Sequence, residues 1–212
     1  MTELPPPPAP TPTDPDRRDL RLDLCRGLAL WFIFLDHIPD NALSWVTLRN
    51  YGFSDTAEVF VFVSGYTCMI AYGVALRQRG WLTTVARALQ RGWEIYVAYL
   101  LLLLAYLALI HVLVLVLGGA REYLDETNTG VFFANPGAAL IHAMLLQYTP
   151  VNTDILAIFV VLHLGFPVLL WLLTRAPSLA LAGSILLYVA TRHFGWDLPA
   201  WPHGEWYFNP LA

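Results

Sequence analysis

From Ile95 to Leu117 the chain reads IYVAYLLLLLAYLALIHVLVLVL, 23 residues without a formal charge. A helix of that length covers about 35 Å, more than the roughly 30 Å hydrocarbon core of a bilayer. In lipid every backbone N–H and C=O has to be satisfied within the segment, so the run can only be a helix. The rest of the chain has to accommodate that span, and its make-up does: 57% of the 212 residues are hydrophobic, 13% are charged and mean hydropathy is +0.54. A soluble domain of this length has no interior large enough for so much apolar surface.

Hydropathy places this strongest helix over 93–117 and adds others over about 20–38, 55–76 and 154–174, with a further one over 178–194. The stretch Gly137 to Tyr148 (GAALIHAMLLQY) is short for a crossing and suits a re-entrant, kinked or steeply buried element. The expected fold is therefore all-α, a polytopic membrane helix bundle with five or six membrane helices in this chain. Residues 1–18, rich in proline, are expected to form a disordered tail, and 19–212 a single transmembrane domain. Cys25 and Cys68 fall in apolar helical stretches and read as buried small hydrophobes, not a disulfide framework.

Arginine distribution orients the first half. Arg17, Arg18 and Arg21 precede the first span, and Arg77, Arg79, Arg87 and Arg91 fill the expected loop 77–92, whereas 39–53 carries Arg49 alone. The positive-inside rule puts the N-terminus and 77–92 in the cytoplasm, with 39–53 outside. Arg175 is cytoplasmic too, provided that 137–148 does not cross. The net charge of −4 offers no nucleic-acid footprint, and no histidine pair has metal-ligand spacing, so neither nucleic acid nor metal is expected.

The first span contains RGLALWFIFLDH. Arg26 and His37 lie eleven residues apart, which puts them within roughly 20° on one helix face and about 16 Å apart along the axis. Ionisable groups at membrane depth are costly and mark functional sites by default. An imidazole titrates near neutrality and suits a general base toward a hydroxyl. The plainer alternative makes Asp36 and His37 interfacial residues at a helix end, with Arg26 snorkelling to the cytoplasmic surface. Asp36 does not share the face of His37 and is a poor orienter for it.

The second span opens SDTAEVFVFVSGY. Asp55 and Glu58 are candidate partners for His37 or for a substrate, but Asp55 as N-cap with Glu58 at the third helical position is also a capping-box variant. The Ser64-Gly65 step permits either close helix packing or entry of a narrow acyl group. Arg87 and Arg91 are spaced i, i+4, with Glu94 a further turn along; they suit a phosphorylated ligand, and equally the positive-inside requirement. Asn152 to Asp154 either cap the following helix or line a polar pocket.

Taken together, RDLRLDLCRGLALWFIFLDHIP, LRNYGFSDTAEVFVFVSGY and LLQYTPVNTDIL resemble the N-terminal half of the OpgC family, inner-membrane proteins that succinylate osmoregulated periplasmic glucans. The Arg-x10-His pattern, Arg26 to His37, is similar to the first-helix signature of the related acyltransferase-3 group, whose histidine is thought to be catalytic. The resemblance implies an O-acyltransferase of the bacterial inner membrane, with no permanent cofactor and with acyl-coenzyme A, succinyl-CoA above all, as co-substrate. It implies the bilayer and a periplasmic glucan as partners and leaves self-association open. Catalytic roles would fall to His37, Arg26, Asp36, Glu58 and Asp55. Substrate contacts would fall to Ser54, Ser64, Gly65, Arg87, Arg91, Asn152 and Asp154. Family members resemble ten-helix bundles nearly twice as long, so the chain is expected to hold half of such a bundle. The competing classes are a glycan or lipid-linked carrier using the same buried ions, and a non-catalytic assembly subunit.

Overall fold

Asp19 sits where the polar tail meets the first apolar run, and its carboxylate accepts the backbone N–H of Arg21 at 2.9 Å. That cap starts α1, Leu20–Asp36. The computed structural model describes residues 19–38, 40–52, 54–117, 124–151, 153–206 and 209–211. The expected tail over 1–18 lies outside them. Helix makes up 78% of the structure, and the described residues contain no strand. The chain divides into two units, residues 1–80 and 81–212.

In the first unit α1 packs against α2, Thr56–Arg79. Two 3-10 turns, Ala42–Val46 and Leu48–Asn50, occupy the connection. Asn41 caps the first turn by accepting from Leu43 N–H while its amide donates to the Leu35 carbonyl at the end of α1. Thr56, Phe60 and Ser64 are buried at i, i+4 and i+8, and on α1 the buried residue is Ala29. Leu20, Leu24, Leu28 and Trp31 are all exposed on α1, as suits contact with acyl chains. Cys25 is also exposed, contrary to the expectation of burial, although it lies one turn before the buried Ala29 on the same stripe. Cys68 is half-buried, and the two cysteines form no disulfide.

α2 ends at Gly80, whose φ of 79° suits a residue without a Cβ. The next helix, α3, begins at once and runs Trp81–Leu117. The expected loop 77–92 is thus a single residue. Arg77 and Arg79, read as loop residues, are helical because they close α2, where cations favour the C-terminal dipole, and Arg87 and Arg91 sit on the early part of α3, as their i, i+4 spacing on a helix had it.

The second unit continues with α4, Gly130–Ala134, α5, Pro136–Met144, α6, Asp154–Arg175, and α7, Pro177–Phe194. α3 packs on α6, and α6 on α7. A Cβ built on Gly92 would lie 3.3 Å from the His163 Cβ, so glycine permits the close approach of α3 and α6. At nine residues α5 rises about 14 Å and cannot cross a bilayer. Its C-terminal end is tied to α3 instead: Tyr96 Oη donates to the Met144 carbonyl at 2.9 Å and Tyr99 Oη to the Tyr148 carbonyl at 2.7 Å. The first of those bonds satisfies a carbonyl that the helix end leaves open. The aromatic segment near the end of the chain folds back onto α5 and the residues after it. The Trp201 ring stacks on His142 at 4.9 Å, and the Trp201 backbone N–H donates to the Gln147 carbonyl.

Three helices among the described residues are long and apolar enough to cross a membrane: Thr56–Arg79, Trp81–Val116 and Asp154–Arg175. α1, with 17 residues, and α7, with 18, fall outside that set.

Candidate functional site

α1 is unbroken between Arg26 and Asp36, and His37 is its C-cap with near-helical angles (φ −94°, ψ −3°). The single-stripe relation of Arg26 to His37 therefore holds. His37 is exposed, and its Nδ1 lies 2.6 Å from the Ile33 carbonyl. A carbonyl oxygen can only accept, so Nδ1 carries the proton. In the neutral ring Nε2 is then left with a free lone pair, the form a general base requires.

Asp36 faces elsewhere. Its Oδ1 accepts from Thr47 Oγ1 at 2.6 Å and its Oδ2 from Thr56 Oγ1 at 3.2 Å. Both threonines are fully buried. The Thr47 hydroxyl also lies 2.7 Å from the Ser44 carbonyl, one proton between two acceptors. One carboxylate thus joins the end of α1, the 3-10 connection and the start of α2. No bond joins it to His37 among the described residues.

Arg26 turns into the α1–α2 seam. Its guanidinium lies over the Phe60 ring, 5.9 Å from the centroid, a cation–π contact. Asp36 and Thr56 meet at one level. From there Arg26 is about 15 Å down α1, but Phe60 only about 6 Å down α2. The side chain therefore reaches up the seam toward the Asp36 end, away from the start of α1. Among the described residues its Nε is buried without a hydrogen-bond partner, and so is Ser64 Oγ on the same stripe as Phe60. Buried polar atoms in folded proteins are nearly always paired, so two orphans in one seam are unusual.

At the start of α2, Asp55 is the N-cap and accepts the Thr56 N–H at 2.5 Å, while Glu58 lies in the first turn. Ser54 Oγ donates to Glu58 Oε2 at 2.7 Å. Asp55 thus serves as the N-cap, while Glu58 holds the Ser54 hydroxyl in place of the reciprocal capping-box bond, and neither carboxylate bonds His37 among the described residues. Gly65 faces open space, with nothing within 4 Å of an added Cβ, so it does not serve close packing.

The remaining candidates lie in the other unit. Arg91 Nη1 pairs with Glu94 Oε2 at 2.9 Å, and Arg87 is exposed one turn earlier. Asp154 is the first residue of α6, after Thr153 as N-cap. Asn152 lies outside the described residues. Among the described residues no three His, Cys, Asp or Glu side chains group as metal ligands.

One feature of the site carried no plain sequence signal. A recess of about 710 Å³ opens beside the end of α1, lined by Asp36, Asp40, Ser44, Trp45, Arg49 and Asn50 among others. Asn41 ahead of Ala-Leu-Ser is a capping pattern and hints at the first 3-10 turn; the bonds from Asp36 to Thr47 and Thr56, across eleven and twenty residues, depend on the path of the connection.

A family model described as OpgC protein matches residues 18–212 of the chain. No curated protein and no solved structure matches it.

Proposed function

The chain belongs to the OpgC family, and from that premise we propose that it is a membrane O-acyltransferase moving an acyl group, succinyl first among candidates, from acyl-coenzyme A to hydroxyls of periplasmic glucans. Membership itself suggests a transferase with a role in periplasmic glucan modification. The observation that supports the finer reading is the His37 tautomer: Nδ1–H is held by the Ile33 carbonyl and Nε2 is left basic.

His37 Nε2 takes the proton of an acceptor hydroxyl as its oxygen attacks the thioester carbonyl carbon. The carbonyl π electrons move onto oxygen, and the developing negative charge is met by the Arg26 guanidinium, whose Nε has no partner of its own among the described residues. Collapse breaks the C–S bond, and the departing thiolate regains the proton from the imidazolium. Ser64 and the small Gly65 flank the path of the acyl chain. Asp55, Glu58 and Ser54 orient the mouth of the site, and Asp36 holds its frame. Arg87 and Arg91 dock the phosphates of coenzyme A from the cytoplasm, and Asn152 and Asp154 contribute polar contacts to substrate.

The protein is placed in the bacterial inner membrane with its N-terminus cytoplasmic, and a relationship to the acyltransferase-3 group belongs to the same proposal. α1 and α7, about 26 Å and 27 Å long, join the three longer helices to give five spans, and Arg175 is then cytoplasmic. A donor on one side and an acceptor on the other meet on the α1 stripe, so transfer is direct. Mass spectrometry of trapped protein showing an acylated side chain would replace it with a covalent relay.

His37→Ala tests the whole reading. An acyltransferase loses acyl groups from an unchanged glucan pool; a carrier loses glucan export; an assembly subunit loses neither.

A further inference from the structure

The recess at the end of α1 combines two kinds of polar group. One kind is engaged in building it: Asp36 holds Thr47 and Thr56, Asn41 holds Leu35 and Leu43, and the Ser44 carbonyl receives Asn50 Nδ2 at 2.6 Å. The other kind is open. Among the described residues Asp40 and Arg49 line the same recess without forming an ion pair, Asn50 Oδ1 accepts no bond, and the Trp45 ring is 68% exposed. Asp40 adopts φ 51°, an uncommon conformation that aspartate tolerates, at the turn just before the Asn41 cap.

A rigid frame carrying open donors and acceptors beside an exposed indole is ligand-binding architecture. Its volume of about 710 Å³ falls within the roughly 300–1,000 Å³ of small-molecule sites. The chemistry selects the ligand class. Two carboxylates against one guanidinium disfavour a phosphate-bearing molecule such as coenzyme A. A neutral polyol suits them: hydroxyls donate to Asp40 and Asn50 Oδ1 and accept from Arg49, while the C–H face of a sugar ring lies on the indole, an apolar body with a polar edge. Asp36 and Ile38, the chain neighbours of His37, line the recess, so it lies at the same end of α1 as the imidazole.

We infer that this recess is the acceptor subsite and binds a short stretch of glucose oligosaccharide, with Trp45 as the stacking platform and Asp40, Arg49 and Asn50 as hydroxyl ligands. The assignment rests on the glucan-modifying reading above and adds where and how the glucan is held. A soluble glucose oligosaccharide is titrated into the whole chain in lipid nanodiscs, with binding read by calorimetry and the modification step by transfer of labelled acyl groups. Trp45→Ala is expected to weaken oligosaccharide binding at least tenfold and raise the acceptor KM with little change in the donor KM. Arg49→Gln is expected to weaken binding severalfold, and His37→Ala to bind as the unmodified protein does. Trp45 is exposed, and unchanged helical circular dichroism checks the fold of each variant. Oligosaccharide binding that is absent, or indifferent to Trp45 and Arg49, overturns the subsite, and so does displacement of the oligosaccharide by coenzyme A. If His37→Ala abolishes acylation while Trp45→Ala binds normally, the subsite alone fails. If Trp45→Ala loses binding while His37→Ala still acylates, it is the proposed catalytic role that fails.

Discussion

In the helical hairpin, His37 donates Nδ1–H to the Ile33 carbonyl at 2.6 Å; in the second unit, His163 donates to Phe159 at 2.8 Å. The bond is the same, one turn back along the helix, but the surroundings differ. His163 is buried against Gly92 in the α3–α6 seam, where the imidazole fills a packed interface. His37 stands exposed at a helix end beside an open recess. The contrast extends to the neighbouring polar groups. In the second unit Tyr96, Tyr99 and Tyr148 each donate to a backbone carbonyl and fasten α5 and its flanks. In the hairpin Arg26 Nε and Ser64 Oγ are buried with no partner among the described residues. A fold that satisfies its polar groups in one place and leaves them open in another marks the second place as the one that meets a ligand.

Exchanging the two histidines for alanine puts the most weight on that contrast. His37→Ala is expected to lower the acyl-transfer rate by roughly 10²- to 10⁴-fold, the usual contribution of a general base, with thermal unfolding almost unchanged. His163→Ala should do the reverse: a destabilisation of about 1–3 kcal/mol in unfolding experiments, with kcat within a few-fold of the original. Equal loss of rate in both variants would erase the distinction.

The frame of the recess comes next. Thr47→Val together with Thr56→Val leaves the half-buried Asp36 carboxylate without donors, an expected cost of about 1–3 kcal/mol. Asp36→Asn, which keeps the hydrogen-bonding shape, should cost less. Unchanged hairpin stability in the double variant would mean that the carboxylate finds other donors.

Tyr148→Phe removes one bond, Oη to the Asn128 carbonyl at 2.9 Å, in the satisfied unit. A loss of about 1 kcal/mol in thermal stability with no change in turnover is expected. Smallest is Arg91→Gln, which breaks an exposed pair with Glu94 and should cost under about 0.5 kcal/mol. Its informative readout is the KM for acyl-coenzyme A, which rises only if the guanidinium docks phosphate.

Long apolar runs made α3 and α6 legible in the sequence, because nothing but a helix satisfies such a backbone in lipid. The Asp55 cap was legible too, since capping acts within the first turn and needs no tertiary information. The joint at Gly80 was hidden: arginines at helix ends look like loop residues by composition, although they lie on helices. The partners of Asp36 were equally hidden, for they sit across a connection whose course is set by two 3-10 turns and their caps. Arg26 showed its place on the stripe, but its turn up the seam depends on Phe60, which packs there from another helix.

The continuity of α1 has a consequence for how this segment tolerates change. Each inserted residue turns everything beyond it by about 100° and advances it by about 1.5 Å. One alanine added between Arg26 and His37 would carry the imidazole from the guanidinium's face to the flank of the helix and pull Asp36 out of step with its threonines. Exchanging one outward-facing leucine for another apolar residue would do neither. The ten residues between the two groups thus act as a gauge, strict in number and lenient in kind wherever they face the lipid.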